Sequence, residues 1–405
     1  MADLKILVRE YKTHENVMGA SVILDGLVRM ITDHQGTVCF AFPSPLPSDC
    51  PHEIVVFRGF DFRPFILAIP HNRLMLEKQI TVDLEAQPSL PENGIGYGIE
   101  AVGANSPPPA GIEKVRIGIL DTGIDVSHPC LRVIGGCVTA DVNPATTELR
   151  NLKFCKDRPI SQHGTFTAGL ISGQQFQNQG ILGVAPGASL FDLRVFDTVG
   201  ISASKDAICL AVRWAIENDI QILHVGFGSK EPSKMEEHIW QQAHEAGIVV
   251  LAPSGNTADN EKSVLYPAAF ESTICIGAVG RITDIPEHEK PEISQDGNWF
   301  LPSFSRRGDE VDLVAPGVSI CSIVPGLPNG KVSFEYCSGT SESVCFVTGI
   351  VARLLTEQLE LSTLQKASIP ETVRKILKNC AQPLDIPGTG AGLAKVWKSD
   401  SKYKC

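Results

Sequence analysis

The stretch VRIGILDTGID, Val115 to Asp125, decides the fold. It is an apolar run that ends in Asp and Gly, the pattern of a strand buried on both faces of a parallel sheet and stopped by a turn. The same rhythm continues downstream. SLFDLRVF (189–196), IQILHVGFG (220–228), IVVLAPSGN (248–256), STICIGAVG (272–280) and VDLVAPG (311–317) read as further strands. HGTFTAGLISG (163–173), SKDAICLAVRWAIEND (204–219), KMEEHIWQQAHEAG (234–247) and the long apolar GTSESVCFVTGIVARLLTEQL (339–359) read as helices. Strands alternating with helices predict an α/β fold, a doubly wound and mainly parallel sheet with helices on both faces. Such sheets bind ligands at the carboxyl ends of their strands.

Upstream, EAQPSLPENGIGYGIEAVGANSPPPAG (85–111) is rich in Pro and Gly and reads as a linker. Before it, KILVREY, GTVCFAF, HEIVVFRGF, FILAIP and KQITVDLEA read as short strands, while ASVILDGLVRMITD (20–33) carries helical spacing. The prediction is a small α+β domain with its linker over 1–92, followed by the larger domain over 93–405.

Composition narrows the classes of function. The chain has 405 residues, 43% of them hydrophobic, enough for a sizeable core in each domain. Its formal net charge of −11 argues against a nucleic-acid partner. No run of about 18 apolar residues suggests a membrane span. The first residues show no basic segment leading into an apolar one, so the expectation is a cytoplasmic protein, with leaderless export left open. The twelve cysteines lack CxxC pairs and zinc-type spacing, which predicts reduced thiols and no metal. Cys209, Cys275 and Cys345 lie in apolar runs as small hydrophobes do.

Four polar positions fall at predicted strand ends or helix starts. Asp121 ends a strand. His163 opens a helix in QHGTFTAG. Asn256 follows a strand in SGN, and Ser341 begins the last long helix in GTS. Singly, each has a plain reading as a turn or a helix cap. Together they offer what acyl transfer by serine requires: a nucleophile, a base, a carboxylate to orient the base, and donors aimed at an oxyanion.

In that order, DTGIDVSHP (121–129), HGTFTAG (163–169), GILGVAPGASL (180–190), SGN (254–256), LYPAAFESTICIGAV (265–279), FSRRGDEVDLVAPG (304–317) and GTS (339–341) resemble the subtilisin-like serine proteases, the subtilases. The likeness runs from IGYGIEAVGA (95–104) to GTGAGLAKV (388–396), some three quarters of the chain. It implies an endopeptidase with the triad Asp121, His163 and Ser341 and with Asn256 as oxyanion donor, acting on a peptide or protein and needing no cofactor or metal. It also implies that residues 1 to about 90 are a propeptide whose tail binds the catalytic cleft and is cut within 86–93. A permanent accessory domain is the alternative. HVGFG, with Gly226, Phe227 and Gly228, and APSGN, with Ser254 and Gly255, correspond to the walls of the pocket for the residue before the scissile bond (P1). Backbone near Gly200 in DTVGIS and along HVGFG would hold the substrate as an added strand.

The chain also departs from that pattern. Leu265 stands where the family often has Gly, which predicts a filled pocket floor and a small P1 side chain. Cys130 in HPCL replaces an Asp that serves calcium in many subtilases, and a soft thiol suits calcium poorly. Arg306-Arg307 read as solvated surface. Glu342 follows Ser341, where a neutral side chain is usual. Facing the cleft it would oppose an oxyanion, attract a basic substrate residue or, protonated, donate a hydrogen bond; facing solvent it would do nothing. Selective processing is the favoured role. Transpeptidation through the same acyl-enzyme, and a non-catalytic peptide-binding pseudoprotease, are the alternatives.

Overall fold

The structure is a computed structural model. It describes residues 2–10, 13–18, 20–24, 28–42, 52–57, 65–69 and 79–84, and residues 94–396 except 141, 143–147, 150–151, 155–160, 178–179, 197–202, 257–262, 286–290, 326–331 and 358–362. Two compact units result, Met1–Leu90 with Phe334–Cys337, and Pro91–Ser333 with Ser338–Cys405.

In the first unit the described elements are strands: β1 (Ala2–Glu10), β2 (Ser21–Leu24), β3 (Val28–Ile31), β4 (Thr37–Phe42), β5 (His52–Phe57), β6 (Phe65–Ile69) and β7 (Gln79–Leu84). They form one sheet ordered β4-β1-β7 and another ordered β3-β2-β5-β6. Ile6, Val8, Ile80 and Val82 alternate onto one buried face, as a period of two demands. The five strands expected here are present. The helix expected over 20–33 is not: β2 pairs antiparallel with β3, Ser21 facing Ile31 and Leu24 facing Val28. The segment is so dense in apolar residues that it satisfies both periods. Its β-branched content favours strands. The candidate cut region 86–93 lies outside the described residues.

The second unit contains α1 (Tyr97–Val102), β8 (Arg116–Asp121), β9 (Val133–Val138), α2 (His163–Ser172), β10 (Ser189–Arg194), α3 (Lys205–Glu217), β11 (Ile222–Val225), α4 (Lys234–Glu245), β12 (Val249–Pro253), β13 (Ile274–Arg281), β14 (Glu292–Ile293), β15 (Trp299–Leu301), β16 (Leu313–Pro316), β17 (Ile320–Val324), α5 (Thr340–Glu357) and α6 (Ile369–Cys380). Helix α1 falls inside the stretch read as linker and is closed by Gly103 in the left-handed region, φ 76°. β9, β10, β8, β11, β12, β13 and β16 pair in parallel, in that order. β15 adds antiparallel to β13, and β14 to β15. The chain leaves β8 for β9 and β10 on one side, then crosses to β11 on the other. β8 is therefore the switch point of the sheet, and Asp121 ends it.

Apolar periodicity explains the helices. α3 and α4 begin at Ser204 and Ser233, whose hydroxyls accept from Ala207 N (3.1 Å) and Glu236 N (3.4 Å). They bury Ile208, Val212, Ile239 and Trp240. α5 is buried nearly all round, with Val344, Phe346, Val347, Ile350 and Val351 at 2% exposure or less. It packs against α2, β11, β12, β13 and β16. Gly349 lets it lie directly on Val184, where a side chain would collide. Among the described residues, no helix is long and apolar enough to cross a membrane.

Arg353 anchors the far end of α5. It is 3% exposed and donates to the carbonyls of Val184, Ala104 (3.1 Å) and Ser106 (2.7 Å). Arg353→Met would keep the bulk and orphan those acceptors. The expected loss is about 2–4 kcal/mol in chemical denaturation; a loss below about 0.5 kcal/mol would contradict this role.

Candidate active site

Asp121 is 1% exposed. Its Oδ1 accepts from Thr122 N at 2.7 Å, and both oxygens lie within reach of His163 Nδ1, at 2.9 and 2.8 Å. Burial alone would raise its pKa, but the His163 charge and hydrogen bond hold it below the ordinary value. His163 is the first residue of α2, and its side chain keeps 35% exposure. Burial lowers its pKa, yet Asp121 and then Glu342 raise it to about 9. With Nδ1 turned to Asp121, Nε2 is the nitrogen left to meet a nucleophile.

Glycine makes this pair possible. The Asp121 carboxylate occupies the place where a Cβ on Gly226 would go, and His163 Cε1 is 3.4 Å from it. Gly164 sits against the carbonyl of Gly123, which has φ 103°. Thr122 Oγ1 accepts from Ser161 Oγ (3.0 Å) and Gly164 N (3.3 Å), and Asp125 N donates to Thr165 Oγ1 (2.9 Å). These bonds fix the strand end to the start of α2.

Ser341 is half-buried in the first turn of α5, where backbone N–H groups have no helical partner. Beside it, Asn256 Oδ1 accepts from Thr340 N (2.9 Å) and Thr340 Oγ1 (3.0 Å). Gly255 N donates to Thr340 Oγ1 in turn (3.2 Å). Two donors fix the amide oxygen, so the amide group presents its Nδ2 as donor on the other side. The structure thus joins Asp121 to His163 directly and docks Asn256 on the residue before Ser341.

The two segments expected to wall a P1 pocket converge on Leu265. A Cβ on Gly228 would meet Leu265 Cδ1 at 2.9 Å, and one on Gly255 would meet its Cγ at 2.5 Å. Leu265 stands between the two segments, partly exposed, with its N–H bonded to Ser254 O at 2.9 Å. Phe227 packs edge-on to Phe196, centroids 5.7 Å apart. Gly200 lies outside the described residues. Arg306 corrects the expectation of solvated surface: it is 4% exposed, reaches Ser263 O at 2.6 Å and runs its stem beside Gly255. Only Arg307 reaches outward, to Glu292 at 2.7 Å.

At the turn that serves calcium in many subtilases, Cys130 is 1% exposed, its sulfur lies beside Gly180, and burial keeps its thiol protonated. A neutral buried thiol does not suit calcium, which takes oxygen ligands.

One open alternative for Glu342 closes, and two groups, His224 and Asp192, escaped the sequence reading. Glu342 is 5% exposed, which removes the solvent-facing alternative. His224, in the middle of β11, is fully buried, and burial pushes its pKa down to about 3. Thr348 Oγ1 donates to Val344 O (2.9 Å), so His224 Nδ1–H donates to Thr348 (3.0 Å) and Nε2 stays bare. Asp192 on β10 is 3% exposed, and burial raises its carboxyl to about 7. A histidine and an aspartate inside otherwise apolar strands were the available signal.

Comparison with known proteins gives the family. The family model described as Peptidase_S8, subtilase family, matches residues 113–395. Subtilisin E of Bacillus subtilis (strain 168) is 33% identical over 269 residues, covering 65% of this chain and 61% of that protein. Subtilisin DY of Bacillus licheniformis is 30% identical over 275 residues, covering 67% and 88%. The crystal structure of fervidolysin from Fervidobacterium pennivorans, described as a keratinolytic enzyme related to subtilisin, superimposes with TM-score 0.59 at 25% identity, over 76% of this chain and 47% of that one. The chain thus spans 61% of the length of subtilisin E.

Asp121→Asn removes the charge that raises His163. Its imidazole, followed by NMR, should then titrate well below its wild-type position, and Gly226→Ala, which displaces the carboxylate, should shift it the same way. An unchanged titration in Asp121→Asn would break the assigned pairing. A buried Asp–His pair at the switch point, an asparagine fixed by the threonine before a helix-start serine, and a matching family model over most of the chain lead to one assignment: the chain belongs to the subtilase family.

Proposed function

We propose that this chain is a serine endopeptidase working through a Ser341 acyl-enzyme. The observation that carries the reading is the buried Asp121 carboxylate held on His163 Nδ1, which leaves His163 Nε2 to act as base. Ser341 Oγ attacks the scissile carbonyl while His163 takes its proton, and Asp121 holds the imidazole tautomer and balances the imidazolium. The oxyanion forms against Asn256 Nδ2 and the Ser341 N–H, helped by the α5 dipole. When the carbon–nitrogen bond breaks, His163 gives the proton to the leaving amine. Water then attacks the ester through the same base, releasing the acid and restoring Ser341. No step calls for a metal or an organic cofactor.

Leu265, wedged between the Gly228 and Gly255 segments, supports a shallow P1 pocket and therefore selective processing rather than bulk digestion. Residues 1–92 we read as a propeptide removed by the chain's own active site.

A serine-directed fluorophosphonate should add one probe mass to wild type and none to Ser341→Ala, read by intact mass. If the propeptide reading holds, wild type also loses about 90 residues and Ser341→Ala stays whole. Labelling of Ser341→Ala would defeat the assignment of the nucleophile. Asn256→Leu should lower kcat/KM roughly 10²–10³-fold, the cost known for one oxyanion donor in subtilisin. Leu265→Gly should raise kcat/KM for a Phe at P1 by roughly tenfold or more relative to Ala; an unchanged ratio would place the P1 determinant elsewhere.

A further inference from the structure

Glu342 is a carboxyl group with little room for a charge. It is 5% exposed, in the first turn of α5. A Cβ built on Gly339 would meet Glu342 Oε2 at 2.7 Å and Asn256 Nδ2 at 3.0 Å, so both groups border the same small space. Ser341 follows Gly339 by two residues in the chain. The titratable groups facing Glu342 come from three elements: Asp121 at the end of β8, His163 at the start of α2, and the Cys345 thiol on α5 itself. Its own backbone N–H also reaches the carboxyl. Burial raises the Glu342 pKa, and the Asp121 charge adds to that rise, against His163 and the backbone N–H.

We propose that Glu342 acts as a neutral carboxylic acid, a third donor to the Ser341 oxyanion beside Asn256 Nδ2. The proposal rests on the Ser341 peptidase reading. The proton stays on Glu342 throughout. Its O–H points at the developing oxyanion and releases it when the carbonyl re-forms, while the proton that reaches the leaving amine comes from Ser341 by way of His163. The ionised form fails twice: it places a negative charge beside the oxyanion, and it holds His163 in the imidazolium form, which cannot accept a proton. The working state therefore has Glu342 protonated and His163 neutral at once.

The sign of the pH dependence follows. At low pH both groups carry protons and no base is available. At high pH both have lost them and the anion opposes the oxyanion. kcat/KM is highest between, as a bell. Glu342→Gln keeps an N–H donor and cannot ionise. Glu342→Met keeps the bulk and has no donor.

The experiment is kcat/KM for a chromogenic peptide across roughly pH 5–10 in wild type, Glu342→Gln and Glu342→Met, with fluorophosphonate labelling of each. Wild type should give a bell. Glu342→Gln should lose the alkaline limb, while its acid limb, set by His163 beside a neutral side chain, should lie at the wild-type position or higher. At about pH 9 it should exceed wild type roughly tenfold or more. Glu342→Met should share that shape but lie roughly tenfold or more below Glu342→Gln at its plateau. A reactive Ser341 whose alkaline limb is the same in wild type and Glu342→Gln overturns this proposal alone, as does a Glu342→Met plateau equal to that of Glu342→Gln. A Ser341 that takes no label in any of the three proteins overturns it together with the peptidase reading.

Discussion

A carboxylate with 1% exposure at the end of a central strand needs a partner to remain charged. Around Asp121 the partner is His163, and much of the nearby structure serves that contact. β8 delivers the carboxylate to the point where the sheet reverses direction. Gly226 leaves room for it, and Gly164, packed on the Gly123 carbonyl, lets α2 begin close enough for His163 to reach back. Without the pair, Asp121 would take up a proton and the imidazole would have no fixed orientation.

The second constraint is the start of α5. That helix is buried along most of its length, so its first turn cannot shift far without disturbing the sheet beneath it. Thr340 ties the turn to Asn256 and Gly255, and Ser343 Oγ bonds the carbonyls of Ala315 (3.0 Å) and Pro316 (3.2 Å) at the end of β16. The nucleophile candidate thus rides on a rigid element, and its neighbours are set by packing. Glu342 is carried inward by the same rigidity, which is why a glutamate next to Ser341 ends buried at 5% exposure.

Much of this was legible in the sequence because it depends on local pattern. Apolar runs ending in DTG and SGN mark strands that stop at polar turns, and GTS before a long apolar stretch marks a helix start. The order of these motifs pointed to Asp121, His163, Asn256 and Ser341 at strand ends and helix starts. What was not legible depends on what packs against a residue. The hairpin over 20–33 was hidden because its apolar positions fit two periods. Arg306 looked solvated because a charge pair usually is, yet its stem is needed beside Gly255. His224 and Asp192 are single polar residues in apolar strands, and only the neighbouring strands and α5 show that they lie near Asp121. The burial of Glu342 depends on its meeting with Gly339 and with Asn256, which is distant in sequence and adjacent in space.

The proposed reacting centre combines Ser341, His163, Asp121 and Asn256, with Leu265 proposed to limit what enters and Glu342 proposed to border the oxyanion. The most direct test is a crystal structure of the protein treated with a peptide aldehyde bearing alanine at P1. The prediction is a hemiacetal on Ser341 Oγ, its oxygen within about 3 Å of both Asn256 Nδ2 and the Ser341 N–H, with the alanine side chain against Leu265. An aldehyde bound without a bond to Ser341, or a hemiacetal oxygen turned away from Asn256, would contradict it.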